Sequence, residues 1–367
     1  MLRRGFPIAC LGILLHAAAG DAPAQQLYTA ARLPGFAPAI NNAGDAAGTA
    51  SSTPPFLRAF RWSQGTASDL GSLGQAGSRA YGINDNGDVV GDSDVPVPGR
   101  TFSNVHAFVH SEGGMRDLGT LGGANSTAVA INQGGQIAGT AETGFGRRHA
   151  FRHSQGRMLD LGTLDGFAST AMDINRAGDV VGESGGHAFL YRDGMRDLGA
   201  PLGYSIARAV NDAGQVVGLS GRSDIDGHAF LHADGQMHDL GTLGGAFSAA
   251  FDINNHGDIV GWTDVAGHDG RLAFLYSEGE MRTLDSMLYG TSAVSFGMAF
   301  AINDVGQILA SGCGAGACAS YLLTPIPEPA GYLMLGTGLG LILLLRRRQP
   351  RGLWPMRRQT WRCSCAG

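Results

Sequence analysis

The sequence predicts an all-β fold of seven four-stranded repeats, arranged as a seven-bladed β-propeller. Three observations carry that expectation. A turn motif, I-N-x-x-G-[DQ]-[VIA], recurs seven times; a Phe-to-Asp interval of nearly constant length recurs in six units; and the repeated region begins and ends on half-units. The turn motif starts at Ile40, Ile83, Ile131, Ile174, Val210, Ile253 and Ile302, with steps of 43, 48, 43, 36, 43 and 49 residues. Repeats of this length suit one propeller blade each.

Within each unit the elements follow in a fixed order. The x-A-F strand centres on Phe60, Phe108, Phe151, Phe189, Phe230 and Phe274, with Tyr321 as a weaker seventh. From the Phe to the start of D-L-G is nine residues in five units and eight in the sixth, and the bridge holds a Gly, as in Tyr191-Arg192-Asp193-Gly194-Met195. Two apolar runs so close together, joined through Gly, read as a hairpin. The I-N-x-x-G-D segment reads as a second hairpin, because Asn and Gly tolerate turn geometry. Four short strands per unit follow, and apolar residues in both phases of Ala188-Phe189-Leu190-Tyr191 mean that both faces of a blade pack on neighbours. A ring of such blades leaves little exposed edge; an open β-solenoid is the competing arrangement.

Closure of the ring is a sharper expectation. The repeat region begins at the M-x-D-L position, Leu27-Tyr28-Thr29, and ends with the A-F strand at Ser320-Tyr321-Leu322, so the first and last units each lack half of the same hairpin and residues 26–30 should pair antiparallel with 319–323. A separation of more than about 10 Å, two strand spacings, would exclude a ring.

The ends read as addresses. Arg3 and Arg4, the apolar run from Phe6 to Ala19 and the small residues Ala22-Pro23-Ala24 form a secretory signal peptide over 1–24, cleaved after Ala24. At the other end Pro327-Glu328-Pro329 precedes a run of 16 uncharged, mostly apolar residues, 330–345, and then Arg346, Arg347 and Arg348. As a helix that run reaches about 24 Å, short for a hydrocarbon core of about 30 Å but able to span it tightly. The arginines place the 349–367 tail, itself Arg-rich, in the cytoplasm and the repeat domain, 25–324, outside.

This arrangement resembles the PEP-CTERM sorting signal over 325–348. The resemblance implies recognition by an exosortase-type membrane protease at Pro327, Glu328 and Pro329, export through the inner membrane of a Gram-negative bacterium, anchoring by the C-terminal transmembrane helix, and a destination in the cell envelope or extracellular matrix. Such signals usually stop just after the arginines, whereas 19 residues follow them here; an ordinary single-pass anchor is the alternative. The repeats resemble the HAF family of extracellular repeats, through His106-Ala107-Phe108, His149-Ala150-Phe151, His187-Ala188-Phe189 and His228-Ala229-Phe230, over nearly all of 30–323. That resemblance implies an exported protein and brings no catalytic residues with it.

Composition narrows the function. The 367 residues contain 59 Gly, and charged residues make up 16%, below the share of about a quarter usual for soluble domains. All 26 basic residues are Arg, and residues 25–325 hold 17 of them against 29 acids. An acidic body without a basic stripe argues against nucleic acid as a partner.

Candidate chemistry weighs towards structure. The x-A-F histidines face an Asp in the next strand: His106 with Asp117, His149 with Asp160, His187 with Asp197 and His228 with Asp239; Arg58 with Asp69 makes a fifth such pair. Cross-strand neighbours of this kind form structural pairs. No shared reaction or metal depends on the histidines, because Leu272 and Ala319 take the same position elsewhere. Gly182-Glu183-Ser184-Gly185-Gly186 fits a nucleophile elbow but runs into a strand, not the helix an elbow needs. The N-x-x-G-D turns lack the acidic complement of a calcium loop, although Asp85, Asp88, Asp92 and Asp94 form an acidic stretch. Neither a metal site nor a cofactor is expected. Cys313 and Cys318 form a disulfide in an oxidising compartment.

Insertions collect between the turn motif and the next Phe, so they emerge on one face with the T-L-G-G loops. That face is where a ligand is expected, first at 91–105 and 284–299. The sequence therefore points to an exported surface or matrix module that binds or builds without catalysis, with exopolysaccharide or another surface component as partner. A propeller hydrolase or lyase acting on matrix glycans is the alternative, and it would need acids or histidines converging in a central pocket.

Overall fold

Seven antiparallel sheets of four strands each form the protein in the computed structural model, which describes residues 26–327 apart from 52–55, 75, 100–102, 113, 224–225, 269, 291–292 and 315–316. Blade 1 occupies residues 36–69, blade 2 78–117, blade 3 122–160, blade 4 170–197, blade 5 204–241 and blade 6 244–283. Blade 7 combines residues 295–325 with 28–32. Successive strands of a blade run from the axis outwards, and the innermost strands contact one another round a ring, blade 7 to blade 1 included. This is a seven-bladed β-propeller. Among the described residues no helix is long and apolar enough to cross a membrane. The signal-peptide residues Ala22 and Ala24, the apolar run 330–345, and Glu328, Pro329, Arg346, Arg347 and Arg348 lie outside the described residues; Pro327 is the last one inside.

The ring closes where the half-units required it to. Strand Tyr28–Arg32 pairs antiparallel with Ala317–Pro325, Ala30 opposite Leu323 and Arg32 opposite Tyr321. The register sits two residues beyond the expected one on both strands. Leu33 N donates to Ser320 O at 2.8 Å, as Leu118 N donates to Ala107 O in blade 2, so Arg32-Leu33 stands where five blades have Asp-Leu and blade 6 has Thr283-Leu284.

Each x-A-F phenylalanine locks its blade onto the one before it. Phe108 of blade 2 packs with Ala47 and Ala59 of blade 1, Phe189 with Ala138 and Ala150, and Phe60 with Leu309 and Leu322 across the seam. All six rings are 3% exposed or less, and burying one contributes about 1.5–3 kcal/mol. Alanine on the facing blade is what lets the sheets approach. The Gly of V-V-G answers a tighter constraint: a Cβ on Gly182 would stand 1.9 Å from Thr170 O and 2.9 Å from Phe189 Cε1.

Two local devices shape the blades. The outer hairpins turn through pairs such as Gln155 (φ 51°) and Gly156 (φ 75°), or Asp234 (φ 53°) and Gly235 (φ 77°); two consecutive left-handed residues match the twist of the flanking strands. Every innermost strand also carries a register shift just before the Ile or Val of the turn motif, as between Ala171 and Asp173 or Ala250 and Asp252. Such bulges re-aim side chains. Here they turn the residue before the Ile towards the axis.

Candidate functional site

The axis opens on the tight-turn face through a ring of seven asparagines, one from each turn motif. Asn41 Nδ2 donates to Asn84 O at 3.0 Å, Asn84 to Asn132 O at 3.2 Å, Asn132 to Asn175 O at 2.9 Å and Asn175 to Asn211 O at 3.1 Å. Asn211 and Asn254 continue to Asn254 O and Asn303 O, both at 3.2 Å, and Asn303 returns to Asn41 O at 2.8 Å. Each Oδ1 accepts the N–H four residues on, as from Asp88 and Gln136 at 2.9 Å. The alternation of Asp and Gln at that position now has a cause: Asp88, Asp179 and Asp258, like Gln136, Gln215 and Gln307, each present an oxygen to the Asn amide. Either residue supplies the acceptor.

A second circle lies on the first. Asn42, Asp85, Gln133, Arg176, Asp212, Asn255 and Asp304 join the asparagines around a cavity of about 260 Å³. Asp85, Asp212 and Asp304 accept backbone N–H bonds from Asn42, Arg176 and Asn255 at 2.7–2.9 Å. Asn42 and Asn255 also bridge to their carboxylates by side-chain amides. These polar groups largely satisfy one another.

Deeper in the channel the residue before the Ile is Ala39, Gly82, Ala130, Ala209 or Ala301 in five blades, but Asp173 in blade 4 and Asp252 in blade 6. Asp173 accepts from Ile174 N (2.7 Å) and Val210 N (2.9 Å), Asp252 from Ile253 N and Ile302 N (2.8 Å each). Each carboxyl thus ties its strand to the next blade. Both residues are half-buried. Burial pushes Asp173 up to about 6; burial and the nearby Asp173 push Asp252 up to about 8. In blade 2, Asp92 is buried and held by Arg79 Nε at 3.0 Å, with Thr127 and Tyr81 hydroxyls at 3.3 and 3.4 Å. Burial raises its carboxyl against the pull of Arg79. The Arg208 guanidinium lies 4.5 Å over the Phe251 ring.

The histidines of x-A-F meet their aspartates. Nδ1 lies 2.8 Å from a carboxylate oxygen in His106–Asp117, His187–Asp197 and His228–Asp239, and 2.9 Å in His149–Asp160. The contacts are diagonal, because Phe108, not His106, stands opposite Asp117. The same aspartates accept the N–H two residues on, Gly119 for Asp117 and Gly241 for Asp239. The fifth pair is corrected. Arg58 donates to Ser72 Oγ at 2.6 Å, its longer side chain reaching the following loop, and Asp69 accepts from Gly71 N.

Serines not distinguished in the sequence connect the blades. Ser205, fully buried, accepts from Ala188 N at 2.8 Å and donates to Gly199 O at 2.6 Å. Ser78, Ser126, Ser169 and Ser248 repeat that bridge. Ser184 of the G-x-S-x-G segment is likewise buried, accepting from Leu164 N and donating to Ala168 O. The acids once grouped by sequence diverge: Asp88 faces Asn84, Asp94 accepts from Gly77 N, Asp85 joins the axial circle and Asp92 takes Arg79. Among the described residues no three His, Cys, Asp or Glu converge as a metal site. A disulfide joins Cys313 to Cys318 across the last variable loop.

The opposite face differs in kind. Phe145 is 94% exposed, Phe167 68% and Leu202 62%; all three lie in loops that emerge there, as does Phe56, just before the strand that opens at Leu57. Tyr289, 70% exposed, follows the last strand of blade 6, but its N–H donates to Tyr28 O at the tight-turn end of the closing strand. Among the described residues of the tight turns themselves, Val305 is the one exposed large apolar residue. Arg147 sits 5.6 Å over the Phe167 ring. A cavity of about 430 Å³ opens beside blade 5, between Leu202 and the His228–Asp239 pair. Of the two stretches singled out in the sequence, 284–299 holds Tyr289 and the 3-10 turn Leu284–Met287, and 91–105 holds parts of the paired strands Val89–Pro96 and Ser103–Ser111, with 100–102 outside the described residues.

No protein-family model and no curated protein matches the chain. Among solved structures, it is similar to the β-propeller domain of the Trilobed protease from Pyrococcus furiosus, which has an open velcro topology. The TM-score is 0.52 at 7% identity over 83% of this chain and 98% of that one. That likeness shows the fold alone, and the seam differs in being closed here by Tyr28–Arg32. TolB from Acinetobacter baumannii aligns with TM-score 0.38 and 17% identity over 55% of this chain, which spans about half (52%) of that structure. The gluconolactonase XC5397 from Xanthomonas campestris aligns with TM-score 0.35 and 11% identity over 82% and 95% of the two chains.

Proposed function

We propose that the chain is an exported repeat protein of the bacterial surface or exopolysaccharide matrix that acts as a non-enzymatic binding or structural module. The observation that supports this reading is the contrast between the two faces. The tight-turn face closes on itself through hydrogen-bonded asparagines and acids. The variable-loop face presents Phe145, Phe167 and Leu202 to solvent on a rigid ring. Exposed apolar groups on loops of a fixed scaffold are the usual material of recognition. Leu27 and Ile326, where the propeller begins and ends, meet on the tight-turn side, Leu27 O and Ile326 N being 2.7 Å apart.

The PEP-CTERM resemblance supplies the sorting half of the proposal: an exosortase-type protease acting at Pro327, Glu328 and Pro329, with the membrane held through 330–345. Replacing those three residues by alanine and following the size and location of the product tests it. Loss of a processed form is the expected result; unchanged processing contradicts it.

A hydrolase or lyase reading draws on Asp173 and Asp252, two acids of innermost strands that burial pushes up to about 6 and about 8. Against it, both oxygens of each acid already accept backbone N–H groups. A glycan array probed with the full chain, run beside an assay for newly released reducing ends or unsaturated uronates, separates the two. Retention without release fits the binding module; release that vanishes in Asp173→Asn or Asp252→Asn fits the enzyme.

A further inference from the structure

The cavity beside blade 5 combines groups that the rest of the molecule keeps apart. His228 directs Nδ1 at Asp239 (2.8 Å), and among the described residues its Nε2 has no protein partner. With Nδ1 carrying the proton towards the carboxylate, Nε2 is an acceptor. Arg222 and Asp226 stand 4.0 Å apart, too far for a hydrogen bond, so neither consumes the other's capacity. Their side chains are 82% and 43% exposed, and both line the cavity. Apolar surface from Leu202 and Met237 completes the wall. Facing glycines bring the two strands of this hairpin together: a Cβ on Gly221 would meet Asp226 O at 1.8 Å.

We infer that this cavity is a binding site for a neutral pyranose unit, a reading that rests on the binding-module proposal above and gives it a location. A pyranose offers adjacent hydroxyls, each both donor and acceptor, around a ring with apolar C–H surface. The cavity offers a guanidinium donor, a carboxylate acceptor and an imidazole acceptor beside an apolar wall. One cation stands among two carboxylates, of which Asp239 is already engaged by His228 and Gly241 N. That balance gives no excess positive charge to hold a phosphate or a uronate. The other His–Asp pairs lack this combination: His106 and His149 are only 19% and 18% exposed, and His187, 40% exposed, follows the turn Gly185-Gly186, which supplies no guanidinium.

The test uses the full chain in a detergent without a sugar headgroup. Saturation-transfer NMR is run with methyl glycosides of glucose, galactose, mannose, rhamnose and N-acetylglucosamine, and any binder is titrated. At least one sugar should bind, and Arg222→Ala and Asp226→Asn should each weaken it by about 10-fold or more, as loss of a charge-assisted hydrogen bond does. His149→Ala in blade 3 should leave binding unchanged, and circular dichroism should report the same fold in all variants. Equal affinity in Arg222→Ala and Asp226→Asn would place the sugar elsewhere, overturning this site while leaving the module reading intact. No binding by any of the five, with retention of other glycans on the array, would overturn it in the same way; silence in both would remove both.

Discussion

Asn303 donates its side-chain amide to the carbonyl oxygen of Asn41 at 2.8 Å, joining positions 262 residues apart. The bond belongs to a circle of seven and repeats, across the seam, the geometry found between neighbouring blades. Asn303 also caps its own turn, accepting from Gln307 N at 2.8 Å and donating to Gln307 Oε1 at 2.9 Å. Replacing it with Ala leaves the part-buried N–H of Gln307 without its partner and removes one of two donors from the Asn41 carbonyl, which keeps Gly44 N at 3.1 Å. Asn303→Ala should therefore cost about 2 kcal/mol in urea unfolding, whereas Asn42→Ala, on the exposed second circle, should cost less than about 1 kcal/mol.

The axial acids give stability an unusual slope with pH. Burial raises Asp173 to about 6 and Asp252 to about 8, from 3.8, so the folded state holds protons that the unfolded chain has released. Their contribution is fully present below pH 4 and is lost as pH rises through 6 and then 8. Thermal melts from pH 4 to 9 should show a falling Tm. Asp252→Asn should flatten the upper part of that fall and melt at least about 2 °C above the parent at pH 9; identical curves would contradict the assignment.

Gly182 marks the closest approach of strand to strand in blade 4. The 1.9 Å that a Cβ would leave to Thr170 O cannot be relieved without moving backbone. Gly182→Ala should lower stability by about 1–3 kcal/mol, read from the urea midpoint. Gly194, with nothing within 4 Å of a built Cβ, should accept Ala with little change.

Within one blade, Ser205 and His187 separate buried from exposed polar contacts. Ser205→Ala strands the N–H of Ala188, buried between two blades, and should cost about 2 kcal/mol. His187→Ala removes a pair whose members are 40% and 45% exposed, and should cost less than about 1 kcal/mol. The reverse order in urea unfolding would contradict the view that serine, not histidine, joins the blades.

Repeat spacing, hairpin lengths and half-units made the blades and the seam legible, because each is a matter of chain geometry. The His–Asp contacts were legible for the same reason: residues at a constant interval across a hairpin meet. Arg58 broke that rule because a longer side chain can reach past its neighbour to Ser72. The asparagine circle was hidden by its own turn, since Asn in N-x-x-G already has a local reason to be there. Asp173 and Asp252 left a readable trace, two acids where five copies carry Gly or Ala, but their direction depends on a bulge no spacing reveals. The cavity beside blade 5 depends on how Leu202 and the Arg222 hairpin lie, which varies from blade to blade.

The most direct measurement bears on the closed ring itself. Spin labels are placed at Thr29→Cys and Thr324→Cys, residues opposite one another across the seam, with Cys10, Cys363 and Cys365 replaced by serine. Cross-strand neighbours hold their Cβ atoms about 5 Å apart, so the continuous-wave spectrum of the doubly labelled protein should be strongly broadened by dipolar coupling. A spectrum equal to the sum of the two singly labelled ones would mean that the first and last strands do not pair.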